Sequence, residues 1–163
     1  MRNNIKSMLI CFFDQKGTVH KEFVPPGQTV NAAFHAEVLK RLGENVRRKR
    51  PDQWRNNTWL LHHDNVPAHA VLTRRFLTDN MTVVPHPPYS PNLATSEFFL
   101  FPKLKMKLKG RRFQMLEEIQ AQSQAVLNTL RENDFQECFK NWHRRWDRCQ
   151  ASAGDYFEGD AGP

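Results

Sequence analysis

Two carboxylates in this chain occupy positions where metal-dependent chemistry could take place. Asp64 follows a short apolar segment, residues 58–62, at the point where a buried strand would end. Open α/β sheets place functional groups at the carboxyl ends of their strands. Glu97 begins a helical segment behind a proline-rich stretch. Because Mg²⁺ prefers carboxylate oxygens and two-metal phosphoryl transfer draws them from several elements, the pair predicts a magnesium site.

Each acid also has a purely structural interpretation. Asp64, or its neighbour Asn65, can cap the helix that Pro67 opens. Glu97 can act as a first-turn acid that interacts favourably with the helix dipole. Position alone does not choose between a metal ligand and a helix cap, so both interpretations stay open at this point.

Histidines near Asp64 raise zinc as an alternative metal. Zinc sites use three or four ligands at recognisable spacings, and the order His-His-Asp followed after four residues by His matches no strong zinc pattern. We expect His69 to be a hydrogen-bond partner on a helix surface or loop. The four histidines are His62, His63, His69 and His86.

The positive charge of this chain is clustered. The sequence has 24 Lys and Arg against 17 Asp and Glu, a formal net charge of +7. Phosphate binding needs cations gathered on one surface, so the clusters predict DNA binding with little sequence preference. A solvated basic surface is the alternative. The first cluster is Arg47, Arg48, Lys49 and Arg50, and the second is Lys103, Lys105, Lys107, Lys109, Arg111 and Arg112.

Cysteine usage and hydropathy indicate an intracellular protein. Cys11, Cys138 and Cys149 are odd in number and show no metal-type pairing, so we expect reduced thiols. The apolar run 8–13 is too short for a secretory signal, and no stretch approaches the roughly 20 apolar residues that span a bilayer. We expect no membrane association and no secretion. A DNA-binding role would place the protein in the nucleus, with the cytoplasm as the alternative.

Short strands and longer helices must position these residues. Residues 8–13 and 18–24 predict an antiparallel hairpin around an Asp14–Gly17 turn. Residues 58–62 and 81–84 predict two further strands. The order of strands and helices indicates an α/β protein with a small mixed sheet.

Apolar spacing and helix-breaking residues predict five helices. The segment 95–109 is ambiguous, because Leu104 to Lys109 also alternates like a strand, and we favour a helix with Thr95 as its N-cap. The predicted helices span residues 29–48, 67–77, 95–109, 115–131 and 134–149.

Two motifs resemble the mariner/Tc1 transposases. Residues 63–69 (HDNVPAH) resemble the family motif HDN-x-P-x-H, and residues 85–93 (PHPPYSPNL) resemble LPHPPYSPDL. The resemblance covers nearly the whole chain and implies one truncated catalytic domain over residues 1–158, followed by a short flexible tail, 159–163. Further matching segments are residues 13–17, 26–31, 48–51, 142–149 and 154–157.

The resemblance implies a ribonuclease H-like fold, a mixed sheet flanked by helices. In that family three acids bind two Mg²⁺ ions, which activate water or a 3′-hydroxyl against a DNA phosphodiester. Asp64 matches the second acid, and Glu97 falls where the third is expected. The first acid belongs to a strand that would precede Met8. We therefore expect these residues to lack the first, central strand of the sheet, its acid, and the family's helix-turn-helix domains.

The chain also departs from the family pattern. The 32 residues between Asp64 and Glu97 are two fewer than in mariner. The third acid is normally Asp in mariner and Glu in Tc1-type relatives, and Asn92 replaces the Asp of the SPDL motif. Asp14 is the one early acid that could substitute for the missing one, and its hairpin position argues against that role.

We therefore expect a transposase-derived protein that binds DNA nonspecifically, holds Mg²⁺ weakly or not at all, and neither cleaves nor joins DNA. The alternatives are a metal-dependent DNA nuclease or transposase core, and a protein-interaction module. Without a central strand, its neighbours would expose backbone groups as edge strands do. Such an edge could bind a second copy of the chain, giving a homodimer, or another protein.

Overall fold

The computed structural model describes residues 6–62, 83–84 and 93–151, and every structural statement below concerns these residues. They divide into two compact units. The first unit contains most of an N-terminal hairpin, two helices and a pair of short strands. The second contains the turn of the hairpin and all described residues from 93 onward. The alternation of strands and helices confirms the α/β class. The predicted domain boundary at residue 158 lies outside the described residues.

The predicted hairpin is confirmed to within one residue by β1 (Leu9–Asp14) and β2 (Gly17–Phe23). Only two residues connect the strands, so they pair antiparallel. The Asp14 carboxylate accepts a hydrogen bond from the Lys16 backbone N–H at 2.9 Å, which stabilises the turn. Gly17 has a φ of +129°, a conformation that L side chains rarely adopt, so the turn requires glycine at this position.

Helix α1 (Ala32–Lys49) begins three residues later than the predicted Thr29. The Asn31 side chain accepts a hydrogen bond from the Phe34 backbone N–H at 2.8 Å and is the N-cap. Val30 lies four residues before Phe34, at helical spacing, but it precedes the first residue of the helix and is exposed. The predicted end of the helix, in the basic run, is confirmed.

A short helix that the sequence did not predict, α2 (Pro51–Asn56), follows α1 after Arg50 alone. Pro51 lies just beyond the basic run that closes α1, and proline fits the first position of a helix, where its missing N–H loses no partner. Asn57 ends α2 in the left-handed conformation, with a φ of 51°. Pro51 thus ends one helix and begins the next.

The remaining strands of the first unit are described over two residues each, and the first of them begins three residues later than predicted. β3 spans Leu61–His62 and β4 spans Val83–Val84, and they pair in parallel. The start of the predicted third strand is used elsewhere, because the Thr58 backbone N–H donates to the Gln53 carbonyl at 3.1 Å and so closes the end of α2. The predicted helix over 67–77 and the proline-rich loop lie outside the described residues.

The core of the first unit forms where the buried side of α1 meets β2 and β3. Phe12 and Trp59 pack against this core and are partly buried themselves. The cluster consists of Val19, Leu39, Leu42, Val46 and Leu61.

The second unit is helical, which confirms the helical interpretation of 95–109 over the strand alternative. A π-helical turn (Ser96–Leu100) leads directly into α3 (Phe101–Leu108). The predicted capping role of Thr95 is wrong: its backbone is itself helical, and its side chain makes no capping hydrogen bond. Helices α4 (Leu116–Thr129) and α5 (Glu132–Ala151) match the last two predictions within about two residues at each end.

Apolar side chains from all the helical segments of the second unit form its core. The Phe99 and Phe135 rings meet edge to face with centroids 5.7 Å apart, and the Trp142 indole N–H donates to the Leu93 carbonyl at 3.1 Å. No helix in the described part of the chain is long and apolar enough to cross a membrane. The buried apolar residues are Leu93, Ala94, Phe99, Leu100, Leu104, Leu127, Phe135, Cys138 and Cys149.

Candidate metal and nucleic-acid sites

Glu97 is the second residue of the π-helical turn, and its side chain is exposed. Its backbone N–H donates to the Ala94 carbonyl at 2.9 Å. Phe99 and Leu100, on the same turn, are buried and fix the backbone that carries the acid. Single turns of π-helix are frequent at functional sites, because they redirect side chains locally. An exposed carboxylate on an anchored turn can offer its oxygens to a divalent cation and leave room for water ligands.

A buried arginine packs against the same turn. Arg145, on α5, is only 7% exposed, and its guanidinium carbon lies 4.3 Å from the centroid of the Phe98 ring. The sequence interpretation missed this residue, although a signal was present. Arg145 occupies a position in the same helical stripe as Phe135, Cys138 and Cys149, where an apolar residue is expected.

Most of the other candidate ligands lie outside the described residues. Asp64 lies outside the described residues, as do all the zinc candidates except His62. Within the described ranges, no group of three or more His, Cys, Asp or Glu residues comes together in a metal-binding arrangement. The Asp14 carboxylate, considered as a substitute acid, is engaged with the backbone of its own turn.

The lysines of the second basic cluster do not form a single row. Alternate residues would share one side of a strand, but on α3 residues two apart point in roughly opposite directions. Lys103 and Lys107 therefore follow one flank of α3 and Lys105 follows the other, while Lys109 comes directly after the helix ends at Leu108. Lys103 is half-buried, with its ammonium 5.4 Å from the Phe99 ring centroid. The exposed members of the cluster are Lys105, Lys107, Lys109, Arg111 and Arg112.

The first basic cluster forms the last turn of α1, where cations also favour the helix dipole. Arg47, Arg48 and Lys49 are exposed, and Arg50 is half-buried. The pKa of Lys49 is lowered by partial burial and by the positive charges of Arg48, Lys21 and Arg50. This end of the helix is therefore a region of positive potential.

A chain of polar side chains fixes this end of α1 to β2. The Arg48 guanidinium donates to the Asn45 amide oxygen at 2.9 Å, and the Asn45 amide nitrogen contacts the imidazole of buried His20. The other ring nitrogen of His20 lies 2.6 Å from the Glu22 carboxylate, which Arg41 binds with two hydrogen bonds. The first basic cluster is thus held on the sheet by hydrogen bonds as well as by apolar packing.

Sequence comparisons connect this chain with transposases. A family model described as transposase (partial DDE domain) matches residues 2–56. The Mos1 mariner transposase of Drosophila mauritiana is 33% identical over 156 residues, which are 94% of this chain and 45% of that protein. The human histone-lysine N-methyltransferase SETMAR is 26% identical over 155 residues, 94% of this chain and 23% of that protein. The chain therefore spans less than half the length of these relatives.

Solved structures of Mos1 transposase are also similar to this chain. The catalytic domain of Mos1 transposase matches with a TM-score of 0.82 at 34% identity, covering 93% of this chain and 76% of that one. A Mos1 paired-end complex with the left transposon end matches with a TM-score of 0.84 at 34% identity, covering 97% of this chain and 46% of that one. The fold is thus that of a ribonuclease H-like catalytic domain of the DDE type. Within this class, the chain belongs to the mariner transposase family and corresponds to part of its catalytic domain.

Proposed function

We propose that this chain is a transposase-derived domain that binds DNA through its phosphates, with little sequence preference, and that these 163 residues do not cut or join DNA by themselves. The observation that carries the proposal is the pair of exposed basic clusters on a mariner-type catalytic fold. The Mos1 structure that holds a transposon end supports the same class of partner. A protein that binds DNA would act in the nucleus, and we propose that location for this chain.

The charges of the second cluster are available for phosphate. Among the described residues, no carboxylate forms an ion pair with Lys105, Lys107 or Lys109, and Arg111 donates to the neutral Gln122 side chain at 2.6 Å. Cations that have no anionic partner release counterions when they meet phosphates, and this release drives nonspecific binding. Contacts of this kind position a protein on DNA without reading its sequence.

A divalent metal would bind to the matched acids. The exposed Glu97 carboxylate suits a hard cation such as Mg²⁺ or Mn²⁺, and Mos1 catalytic-domain structures have been solved with each of these metals. We assign Asp64 as its companion ligand from the family motif. With two carboxylates, water would fill most coordination positions, so binding would be weak. A bound ion would supply Lewis-acid stabilisation to a phosphodiester oxygen.

The absence of cleavage follows from the number of matched acids. Two-metal catalysis needs ligands that hold both ions about 4 Å apart, and the acid that the family places on its first strand has no match in these 163 residues. The spacing before Glu97 is also shorter by two residues, and displacements of about 1 Å can cost roughly a hundredfold in rate. A metal-dependent nuclease is the second candidate, and the retention of both Asp64 and Glu97 favours it.

Charge reversal tests the DNA-binding proposal. Replacing Lys105, Lys107, Lys109 and Arg111 with Glu should abolish retention on DNA-cellulose at moderate salt. A matched control reverses four exposed cations outside both clusters and so changes the net charge equally: Lys16, Lys40, Arg131 and Arg144. The control should keep most of the binding.

Each outcome of this experiment has a distinct meaning. Equal losses in both variants would show that only net charge matters and would overturn the proposed interface. Unchanged retention of the variant with four reversed charges in the second cluster would exclude that cluster. Residues 47–50 would then be the next candidate for the DNA contact. Failure of the unmodified chain to bind any DNA would overturn the proposed function itself.

A further inference from the structure

Two tryptophans of the first unit stack face to face at the end of α2. The Trp54 and Trp59 rings have centroids 6.0 Å apart and an interplanar angle of 18°. The two rings differ in environment, since Trp59 packs against the core cluster, whereas Trp54 is 41% exposed. The pair thus has an inner ring supported by the core and an outer ring that solvent reaches.

The backbone between the two rings is arranged to produce this stack. Asn57 turns the chain in the left-handed conformation, and its N–H donates to the Trp54 carbonyl at 3.3 Å. The Thr58 N–H donates to the Gln53 carbonyl at 3.1 Å. These bonds fold the chain back at the end of α2, so that Trp59 lies against Trp54. The turn therefore places the Trp59 ring against the Trp54 ring.

The stacked pair lies beside the first basic cluster. The Trp54 backbone N–H donates to the Arg50 carbonyl at 3.0 Å, so the ring stands one helical turn beyond the last residue of that cluster. The nearby acid Asp52 is highly exposed and lies 3.6 Å from Arg55, which offsets its charge locally. Burial first, and then the positive charges of Arg48, Lys21 and Arg50, lower the pKa of Lys49.

We infer that Trp54 is a stacking platform for an unpaired nucleobase of single-stranded DNA, with the phosphates on either side of that base bound by residues 47–50. A rigid aromatic surface beside a basic groove or ridge is the arrangement by which proteins bind single strands without reading sequence, because every base has a π-face. Duplex DNA keeps its base faces covered by neighbouring bases and offers only phosphates to this surface. The inference rests on the proposed DNA binding and adds a substrate class to it.

Burial does not account for an exposed outer ring. A side chain that only extends the core would gain from covering its apolar surface, and Trp54 leaves much of it in water. Trp59, by contrast, is partly buried and packs against the core cluster. A platform needs this combination of one anchored ring and one accessible ring in an electropositive region.

Fluorescence anisotropy tests the inference. The affinity of the chain is measured at one salt concentration for two fluorescent probes, a 20-nucleotide oligodeoxythymidylate and a 20-base-pair duplex. The unmodified chain should prefer the single strand. Trp54→Ala should weaken single-strand binding about fivefold or more and leave duplex binding unchanged, since base–aromatic stacking contributes at least about that factor. Trp54→Phe should retain single-strand binding within about twofold. Leu60→Ala removes a more exposed apolar side chain nearby, at 61% exposure, and should change neither affinity.

The possible results separate this inference from the proposed function. If the unmodified chain binds neither probe, the proposed function fails. If it binds both probes and Trp54→Ala weakens neither, or weakens both equally, the platform is wrong and DNA binding stands. If Trp54→Ala changes the oligomeric state on size exclusion but not single-strand affinity, the surface serves self-association and the inference is overturned. A far-UV circular dichroism spectrum identical to that of the unmodified chain shows that each variant is folded.

Discussion

Arg145 and Phe98 form a cation–π contact in the interior of the second unit, with the guanidinium carbon 4.3 Å from the ring centroid. Phe98 follows Glu97 in the π-helical turn, so α5 holds the turn that presents the candidate metal ligand. A buried guanidinium is costly unless its charge is compensated, and an aromatic face supplies part of that compensation. Arg145 therefore stabilises the turn that carries Glu97.

Replacing Arg145 with methionine should destabilise the chain by about 2 kcal/mol, because a desolvated cation–π contact is lost while the side-chain volume is nearly kept. Urea denaturation followed by circular dichroism measures the change. Arg144→Met, one residue earlier on the same helix and exposed, is the matched control and should shift the free energy of unfolding by less than about 0.5 kcal/mol. Equal effects of the two substitutions would contradict the assignment.

Glu22 should make stability depend on pH in the acid range. Hydrogen bonds from Arg41 lower the pKa of Glu22, so the folded state favours the ionised carboxylate. Its stabilising contribution is present above the ordinary pKa near 4.5 and is lost as pH falls through the lowered pKa. Glu22→Gln should therefore cost about 1 kcal/mol at neutral pH and progressively less in acid.

The control for this prediction is Glu37→Gln. Glu37 also pairs with a cation, Lys40 at 3.1 Å, but both side chains are 57% exposed. Exposed pairs contribute little to stability. Unfolding curves should therefore separate the two variants more widely at pH 7 than at pH 3. A difference that persists unchanged at pH 3 would show that the Glu22 charge is not responsible.

The strong periodic segments were predictable from sequence, and the ends of elements were less so. The hairpin and α1, α4 and α5 follow from alternation and helical spacing, which report directly on burial. The start of α1 was misplaced because the helix is capped by Asn31, two residues after the predicted start at Thr29. Helix α2 was missed because proline is compatible both with the end of one helix and with the first position of the next.

The candidate sites were predictable only in part. Glu97 and the exposed lysines could be named from residue type, but the division of the lysines between two flanks depends on whether 104–109 is helix or strand. Arg145 and the Trp54–Trp59 stack needed tertiary contacts, since Arg145 meets a ring 47 positions earlier in the chain and the stack depends on the left-handed turn at Asn57. Asp64 lies outside the described residues, so its role remains a proposal.

The thiols of Cys11 and Cys138 should react slowly in the folded chain. Burial raises the pKa of Cys11 to about 11 and that of Cys138 to about 12. The thiolate is the reactive form of cysteine. At pH 8, about one thousandth of the Cys11 thiol is ionised, and a smaller fraction of the Cys138 thiol. Iodoacetamide should therefore modify both sites far more slowly than in the guanidinium-unfolded chain, as followed by mass spectrometry. Rapid modification of Cys138 in the folded chain would show that the core around α5 opens readily.

Supercoiled plasmid should remain uncut by this chain in the presence of Mn²⁺, the more permissive metal. The expectation follows from the proposal that two matched acids cannot hold two ions in the geometry that cleavage requires. The control is the double variant Asp64→Asn, Glu97→Gln, which removes both proposed ligands. Nicking by the unmodified chain that disappears in the double variant would establish the nuclease alternative. Nicking that persists in both would indicate a contaminating activity and leave the proposal standing.

The two flanks of α3 should contribute unequally to duplex binding. Lys103 directs its ammonium toward the Phe99 ring and is half-buried, so the flank it shares with Lys107 has only one fully exposed cation. Lys105 and Lys109 are both exposed. Reversing Lys105 and Lys109 to Glu should therefore weaken DNA binding more than reversing Lys103 and Lys107.

The salt dependence gives this comparison a quantitative readout. Each lost phosphate contact reduces the slope of log K against log salt by about 0.9. The Lys105–Lys109 variant should lose close to two such increments and the Lys103–Lys107 variant about one, measured by anisotropy with a 20-base-pair duplex between low and moderate salt. Because both variants change the net charge by the same amount, long-range attraction cannot produce the difference. Equal slopes would mean that DNA contacts both flanks alike, and a larger loss from the Lys103–Lys107 variant would place the duplex on the opposite side of α3.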